Sequence, residues 1–252
     1  MIEWLVPADV GVTASAALIA LSAATSFLTA AAGIGGGIVL IAVMAVLVPA
    51  HALIPIHGVV QIGSNAGRAA IMIRGVEWKI LAPFCLGSLI GAAFGGLTAV
   101  QLPPAILNIG LACFILWSVW GPAVATQGRF KVLITGIVSS FLTMFFGATG
   151  TFVSAMVKSM RLGRLEHVAT HSTCMVAQHG IKVVAFGLLG FNYAPYAGLI
   201  VAMVLSGFLG TVIGKRVLVK MNDRTFHRVL AVLLSILALR LLYEGIALLA
   251  IF

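Results

Sequence analysis

The chain has 252 residues, 62% hydrophobic and only 8% charged, with 15 Lys and Arg against 6 Asp and Glu. A soluble domain carries about a quarter charged residues, so this composition excludes a solvated globular domain. The net charge of +9 would suggest nucleic acid on a soluble protein. Here most basic residues fall in short loops between apolar runs, the pattern of the positive-inside rule, and no nucleic-acid partner is expected.

Apolar runs near the ~20 residues needed to cross a bilayer recur along the sequence, and mean hydropathy is +1.18. A transmembrane barrel would alternate apolar and polar residues, and these runs do not. The expected fold is an all-α polytopic membrane protein whose solvent is the lipid bilayer. The opening "MIEWLVPADV" has Glu3 and Asp9 and no Lys or Arg before the first apolar run, so it is not expected to be a secretory signal. Cys85, Cys113 and Cys174 lie far apart with no CxxC, which argues against a disulfide framework.

In chain order the apolar elements are expected at about 10–32, 37–49, 53–73, 80–100 and 104–121, then 130–147, 151–160, 167–189, 195–214 and 225–249, with ends uncertain by ~2–4 residues. These form two sets of five. "SFLTAAAGIGGG" from Ser26 matches "SFLTMFFGATGT" from Ser140 with six identities in twelve at an offset of 114, the mark of a duplicated unit. The offset carries His57 onto His171, Asn65 onto His179 and Arg68 onto Lys182. Residues 1–124 and 125–252 are therefore the expected first and second transmembrane repeats. The second element of each is too short to cross, since ~17–25 residues are needed, and should be re-entrant or half-spanning.

Basic residues follow the third element (Arg74, Lys79), lie between the halves (Arg129, Lys131), follow the short element of the second half (Lys158, Arg161, Arg164) and precede the last helix (Lys215, Arg216, Lys220, Arg224, Arg228). If every element changes the side of the chain, all four clusters land on one face, which the positive-inside rule makes cytoplasmic. Both termini then lie outside an inner (plasma) membrane. An odd number of side changes per half also inverts the second repeat relative to the first, an arrangement common in secondary transporters.

The glycine runs "AAAGIGGG" and "FFGATGTF" join the first and second elements. Gly33 with Gly37 and Gly147 with Thr151 are read as helix breaks. Non-helical backbone at membrane depth is tolerated where it faces protein or a cavity, and a short helix after a break aims its N-terminal amides at it. Gly35, Gly36, Gly37, Thr149, Gly150 and Thr151 thus become candidates for an anion cradle. The pairs Gly63/Gly67, Gly91/Gly95 and Gly210/Gly214 are read instead as close-packing sites.

A polar stripe completes the candidate site. Gln61, Asn65 and Arg68 lie within roughly 80° of His57 around a helix and span about 16 Å of it. His171, Gln178, His179 and Lys182 form the related stripe, with Met175 where Gln61 would be and Thr170, Ser172 and Thr173 beside it. A mid-membrane Arg or Lys costs ~2.5–3.5 kcal/mol and needs a cavity or partner. The acids offer none: Glu3, Asp9, Glu77, Glu166 and Asp223 are expected at termini or in loops, and Glu244 at i+4 from Arg240. A donor-rich site without carboxylates suits a ligand that brings its own negative charge, and His57 or His171 could couple its movement to protons.

"GIGGG" after a Ser/Thr-containing first helix, followed by "HGVVQIGSNAGRA", resembles the TauE/SafE family of membrane transporters, and "FGATGTFVSAMV" with "THSTCMVAQHGIKVVAF" resembles the second repeat of that family. The resemblance runs over nearly the whole chain. It implies export of sulfur-containing anions such as sulfite, or of organosulfonates, by the two glycine breaks and the two stripes. No nucleotide-binding P-loop occurs, no cofactor is expected, and a homodimer stays open.

Two other classes compete. A copper or zinc transporter would use His167, His171, Cys174 and Met175 from "HVATHSTCM". Against it, Leu53 occupies the position matching His167, and Lys182 would repel a cation. An intramembrane enzyme would pair His171 with Ser172 or Cys174, but sequence neighbours point to different helix faces. Neither a metal site nor catalysis is expected.

Overall fold

Apolar runs without strand-like alternation satisfy their own backbone groups best as helices. The computed structural model describes residues 4–32, 35–99, 103–121, 130–147, 149–217 and 223–250, and the regular structure within them is helical. Ten α-helices follow in order: α1 (Val12–Ala32), α2 (Gly36–Leu47), α3 (Ala50–Ile71), α4 (Leu81–Ala99), α5 (Pro104–Trp120), α6 (Lys131–Phe146), α7 (Gly150–Lys158), α8 (Arg164–Leu188), α9 (Ala197–Val217) and α10 (Asp223–Leu249). Each expected apolar segment lies on one of them, with ends displaced by about three residues at most. The largest displacements are the early starts of α3 and α8 and the late end of α9. Pro49 caps α3 directly after α2, and the backbone N–H of Gly163 donates to Glu166 Oε2 at 2.9 Å in the first turn of α8. Glu166 therefore belongs to a helix terminus rather than to a loop.

Two helices are short. At 1.5 Å per residue, the 12 residues of α2 and the 9 of α7 reach only about 18 and 14 Å, against a hydrocarbon core of about 30 Å. Each follows a glycine in the left-handed region, Gly35 at φ +104° before α2 and Gly147 at φ +71° after α6. L-residues avoid that conformation, so glycine is what lets the chain leave one helix and start the next. Gly33 lies outside the described residues.

The molecule buries polar side chains beside its apolar core and exposes apolar ones. Leu86, Leu89, Phe94 and Leu97 on α4, Leu205, Leu209 and Ile213 on α9, and Ile236, Leu239 and Ile246 on α10 are exposed, while His57, Gln61, Asn65, Arg68, His171, Gln178, His179 and Lys182 are buried. Water would reject such an outer surface and a bilayer accepts it. Val12–Ala30, Trp78–Thr98 and Ala194–Gly214 are long and apolar enough to cross a membrane, so this is a polytopic membrane protein.

The packing places α3 against α8, α1 against α9, α4 against α6 and α5 against α10, with α3 also touching α9 and α4 touching α8. Small residues permit the close pairs. A Cβ on Gly91 would collide with the carbonyl of Ile137, and one on Gly210 with the carbonyl of Ala23. Gly63 and Gly67 similarly admit Val204 and Phe208 of α9. The three pairs read as packing sites are packing sites. Polar bonds set the same register: Ser22 Oγ donates to the Met203 carbonyl at 2.6 Å, and Ser26 Oγ meets Ser64 Oγ at 2.8 Å.

Described members of three of the basic clusters lie on packed segments. The loop holding Arg74 and Lys79 docks on the start of α8, where Glu77 N donates to Thr170 Oγ1 at 3.0 Å. Lys131 at the start of α6 donates to Ser159 Oγ at the end of α7. At the start of α3, Tyr196 Oη donates to Asp9 Oδ2 at 2.5 Å and lies 3.3 Å from His51 Nε2.

Candidate functional site: a cavity between the short helices

The interior of the α3–α8 pair holds a cavity of about 40 Å³. A single water needs roughly 10–15 Å³ measured this way, so the space fits about three waters or one small oxyanion. Its walls come from α1 (Thr29), the start of α2 (Gly35, Gly37, Ile38), α3 (Gln61, Asn65, Arg68), the start of α7 (Gly150, Thr151) and α8 (His171, Met175, His179). Both short helices thus end their N-termini at one space. The first N–H groups of a helix have no intrahelical partner, and the aligned peptide dipoles place about half a positive charge at each such end.

Local packing fixes these ends. A Cβ on Gly36 would strike the Thr25 carbonyl and Thr29 Oγ1, and one on Gly37 would strike Gln61 Nε2. Histidine tethers each short helix to the long helix of its own half. His57 Nε2 lies 3.1 Å from the Gly37 carbonyl, and His171 Nε2 lies 3.1 Å from the Gly150 carbonyl. A carbonyl only accepts, so His171 carries its proton on Nε2, whereas His57 Nε2 faces both the Gly37 acceptor and the donor nitrogen of the Gln61 amide. The Gln61 amide reaches His57 at 3.2 Å, and Asn65 Nδ2 donates to the Gln61 carbonyl at 2.8 Å.

Arg68, 2% exposed, is held by neutral oxygens. Its Nη1 donates to Ser64 Oγ at 3.0 Å, Nη2 to Asn65 Oδ1 at 2.9 Å and Nε to Ser172 Oγ at 3.4 Å. Lys182 is fully buried and donates to the Gly147 carbonyl at 3.3 Å. The ion pair resolved among the described residues is Arg240 with Glu244 at 2.9 Å, far from the cavity and at the i+4 spacing expected for it. Among the described residues, no carboxylate lines the cavity.

Nine of the candidate residues line this space: Gly35, Gly37, Gln61, Asn65, Arg68, Gly150, Thr151, His171 and His179. Gly36, His57, Thr149, Gln178 and Lys182 do not. Thr149 and Gln178 are tied to each other, with Gln178 Nε2 donating to Thr149 Oγ1 at 3.1 Å and Thr149 Oγ1 to the Ser139 carbonyl at 2.9 Å. His57 stands behind Gln61, edge-on to His179 with ring centres 5.9 Å apart. Sequence reasoning missed Thr29, Ile38 and Ser64. Thr29 was within reach: it lies in the repeated "SFLT", opposite Thr143 at the 114 offset.

The donors of the metal reading do not converge. His167 Nε2 pairs with Ser154 Oγ at 3.1 Å, His171 Nε2 is used by Gly150, and the two rings stack 6.3 Å apart. Met175 faces the cavity, whereas Cys174 packs with Phe84, Val153 and Met156. Among the described residues no group of three His, Cys, Asp or Glu could hold a metal. Ser172 faces Arg68 instead of His171, so it gains no base.

A donor-lined, acid-free chamber inside a helical membrane protein is the architecture of an anion transporter. The family model described as sulfite exporter TauE/SafE matches residues 18–241, and the chain belongs to that family, one of transporters and not of enzymes. No curated protein and no solved structure matches the chain.

Proposed function

We propose that the protein is a secondary exporter of small sulfur-containing oxyanions, with sulfite favoured over larger organosulfonates, working by alternating access around the cavity at Arg68. The observation that carries this reading is the meeting of two helix N-termini and a buried guanidinium at one space that no carboxylate lines. Preorganised donors replace the hydration of an anion at low reorganisation cost. The volume of about 40 Å³ suits an anion of four heavy atoms better than one with an organic tail.

Two inverted repeats, 1–124 and 125–252, give the moving parts. Under that reading α1 to α5 correspond to α6 to α10. The contact of α1 with α9 then becomes the image of α4 with α6, and α3–α8 and α5–α10 each map onto themselves. This exchange is what a pseudo-two-fold axis requires, and an odd number of side changes per half would lay that axis in the membrane plane. The short α2 and α7 approach the cavity from opposite sides, each completing a change of side for the chain. The clustering of basic loops supports a cytoplasmic face there and termini outside a plasma membrane. Coupling to protons through His57 or His171 belongs to the same proposal. Gly36, His57, Thr149, Gln178 and Lys182 act in it from behind the cavity wall.

The test is ligand-dependent thermal stability of the purified protein with sulfite, thiosulfate, sulfoacetate, sulfate, copper and zinc. A ligand that binds only the folded state raises stability by about 2.7 kcal/mol at a hundred times its Kd. Sulfite should give the largest shift among the anions. A shift from a metal alone, with none from any anion, overturns the proposal.

A further inference from the structure

The cavity at Arg68 does not reach the other end of α3 and α8, where a larger cavity of about 310 Å³ opens. That cavity is lined by His51, Ile54 and Pro55 near the start of α3, by Phe186 and Leu189 near the end of α8, and by Met144 of α6. Its α3 lining ends at residue 55 and its α8 lining begins at 186, whereas the Arg68 cavity begins at Gln61 and ends at His179. On α3 and α8 two polar side chains occupy the layer between, His57 and Lys182, and Thr143 Oγ1 of α6 donates to the Gly147 carbonyl there at 3.0 Å.

Neither is well satisfied. Lys182 Nζ donates to one neutral oxygen, the Gly147 carbonyl, at 3.3 Å, longer than the ≈ 2.7–2.9 Å of strong charge-assisted bonds. Its stem presses on Gly58, where a Cβ would lie 2.9 Å from Lys182 Cε. His57 Nδ1 is fully buried and has no partner among the described residues. It faces the same glycine, 3.3 Å from where a Gly147 Cβ would stand, and Ile54 Cδ1 is 3.2 Å from that point. Ile54, Met144 and Phe186 are buried in the apolar core while also lining the larger cavity. Phe186 sits one turn beyond Lys182 on α8. These three side chains therefore form an apolar plug between the larger cavity and Lys182.

We propose that Lys182 and His57 form a second oxyanion station. In this reading the anion reaches it from the Arg68 cavity and leaves it through the 310 Å³ cavity once Ile54, Met144 and Phe186 part. The chemistry of the pair narrows the guest. His57 Nε2 is taken up between the Gly37 carbonyl and the Gln61 amide nitrogen, which leaves Nδ1 as the free ring nitrogen beside the Lys182 ammonium. A cationic donor next to an uncommitted imidazole nitrogen complements a small oxyanion such as sulfite or hydrogensulfite. Arg68, which has two well-placed acceptors of its own, keeps the first station; Lys182, its partner at the 114 offset, keeps the second. The inference rests on the proposed export of such anions.

Radiolabelled sulfite binding in detergent and sulfite flux in proteoliposomes test it together. Lys182→Gln should keep binding within about threefold and lower flux at least about tenfold, a barrier increase of ~1.4 kcal/mol. Lys182→Arg should recover most of that flux. Phe186→Leu, which shortens the plug without touching Lys182, should leave binding unchanged and raise flux about twofold. Wild-type flux in Lys182→Gln, or loss of binding in parallel with flux, overturns the second station, as does an unchanged rate in Phe186→Leu. If the wild-type protein binds no anion at all, it is the export reading that fails.

Discussion

Replacing Arg68 by Met separates the folding role of the guanidinium from its role toward a ligand. Arg68 is 2% exposed, so its charge costs ~2.5–3.5 kcal/mol at membrane depth. It recovers this from two good bonds, to Ser64 Oγ and Asn65 Oδ1 at 3.0 and 2.9 Å, each worth ~1.5–3 kcal/mol for a charged donor. The third contact, at 3.4 Å to Ser172, adds little. Methionine removes the charge penalty and both bonds together, with similar length and flexibility. Ser64 keeps Ser26 as a partner, so Asn65 Oδ1 is the main acceptor left orphaned. The net destabilisation should stay below about 3 kcal/mol. Binding should respond differently, because removing a desolvated charged partner costs ~2–5 kcal/mol, about thirtyfold to several-thousandfold in Kd. The assay is thermal melting without ligand alongside equilibrium binding of labelled sulfite. A folded Arg68→Met protein whose sulfite affinity falls by less than about threefold would refute the reasoning, since the charge would then serve the fold alone.

Other substitutions probe the frame of the cavity. Gly36→Ala should lower expression and melting temperature, with overpacking costing ~1–3 kcal/mol, because its Cβ meets the backbone of Thr25; normal melting would mean α1 and α2 are not so close. Gly150→Ala is the contrast, since its nearest neighbours would be His171 Nε2 at 3.4 Å and Met175 Cε at 3.6 Å, ordinary contacts. It should fold as wild type, and a large loss of stability would count against the placement of α7. Tyr196→Phe removes the hydroxyl that joins Asp9 to His51 and should cost about 1 kcal/mol, read as a lower melting temperature, with sulfite binding in detergent intact.

Much of this architecture could be read without coordinates, because a bilayer simplifies the code. Runs of apolar residues have one low-energy solution in lipid, so helix number and approximate ends follow from hydropathy. The His57–Arg68 stripe is legible because helical periodicity puts Gln61, Asn65 and Arg68 on one face and hydrocarbon makes such residues too costly to be incidental. What could not be read was depth along that face. His57 and Lys182 share the stripes with Gln61 and His179, yet they lie behind the cavity wall, since the wall depends on where α2 and α7 stop. That in turn depends on positive-φ turns at Gly35 and Gly147, and a glycine run does not say which of its members turns. Thr29 could be reached only through the repeated "SFLT", not from its own surroundings. A hydroxyl on a membrane helix commonly bonds its own backbone, as Thr29 Oγ1 does to the Thr25 carbonyl at 2.9 Å, and nothing local marks it as facing a cavity.

The partners chosen for Arg68 bear on how a transporter lets go. Had an aspartate stood at Ser64 or Asn65, the guanidinium would sit in a buried ion pair, and an arriving anion would have to displace a fixed negative charge. Neutral oxygens hold the cation well enough to let the helix fold and exchange readily for a ligand oxygen. The binding energy is then a difference between two hydrogen-bonded states, not the full worth of a salt bridge. Such a site favours anions by charge while keeping affinity moderate, and moderate affinity permits release on the far side. An engineered Asn65→Asp should accordingly abolish anion binding by closing a permanent pair with Arg68, while Asn65→Ser should preserve it. Equal sulfite affinity in the two variants would show that the neutrality of the lining is incidental.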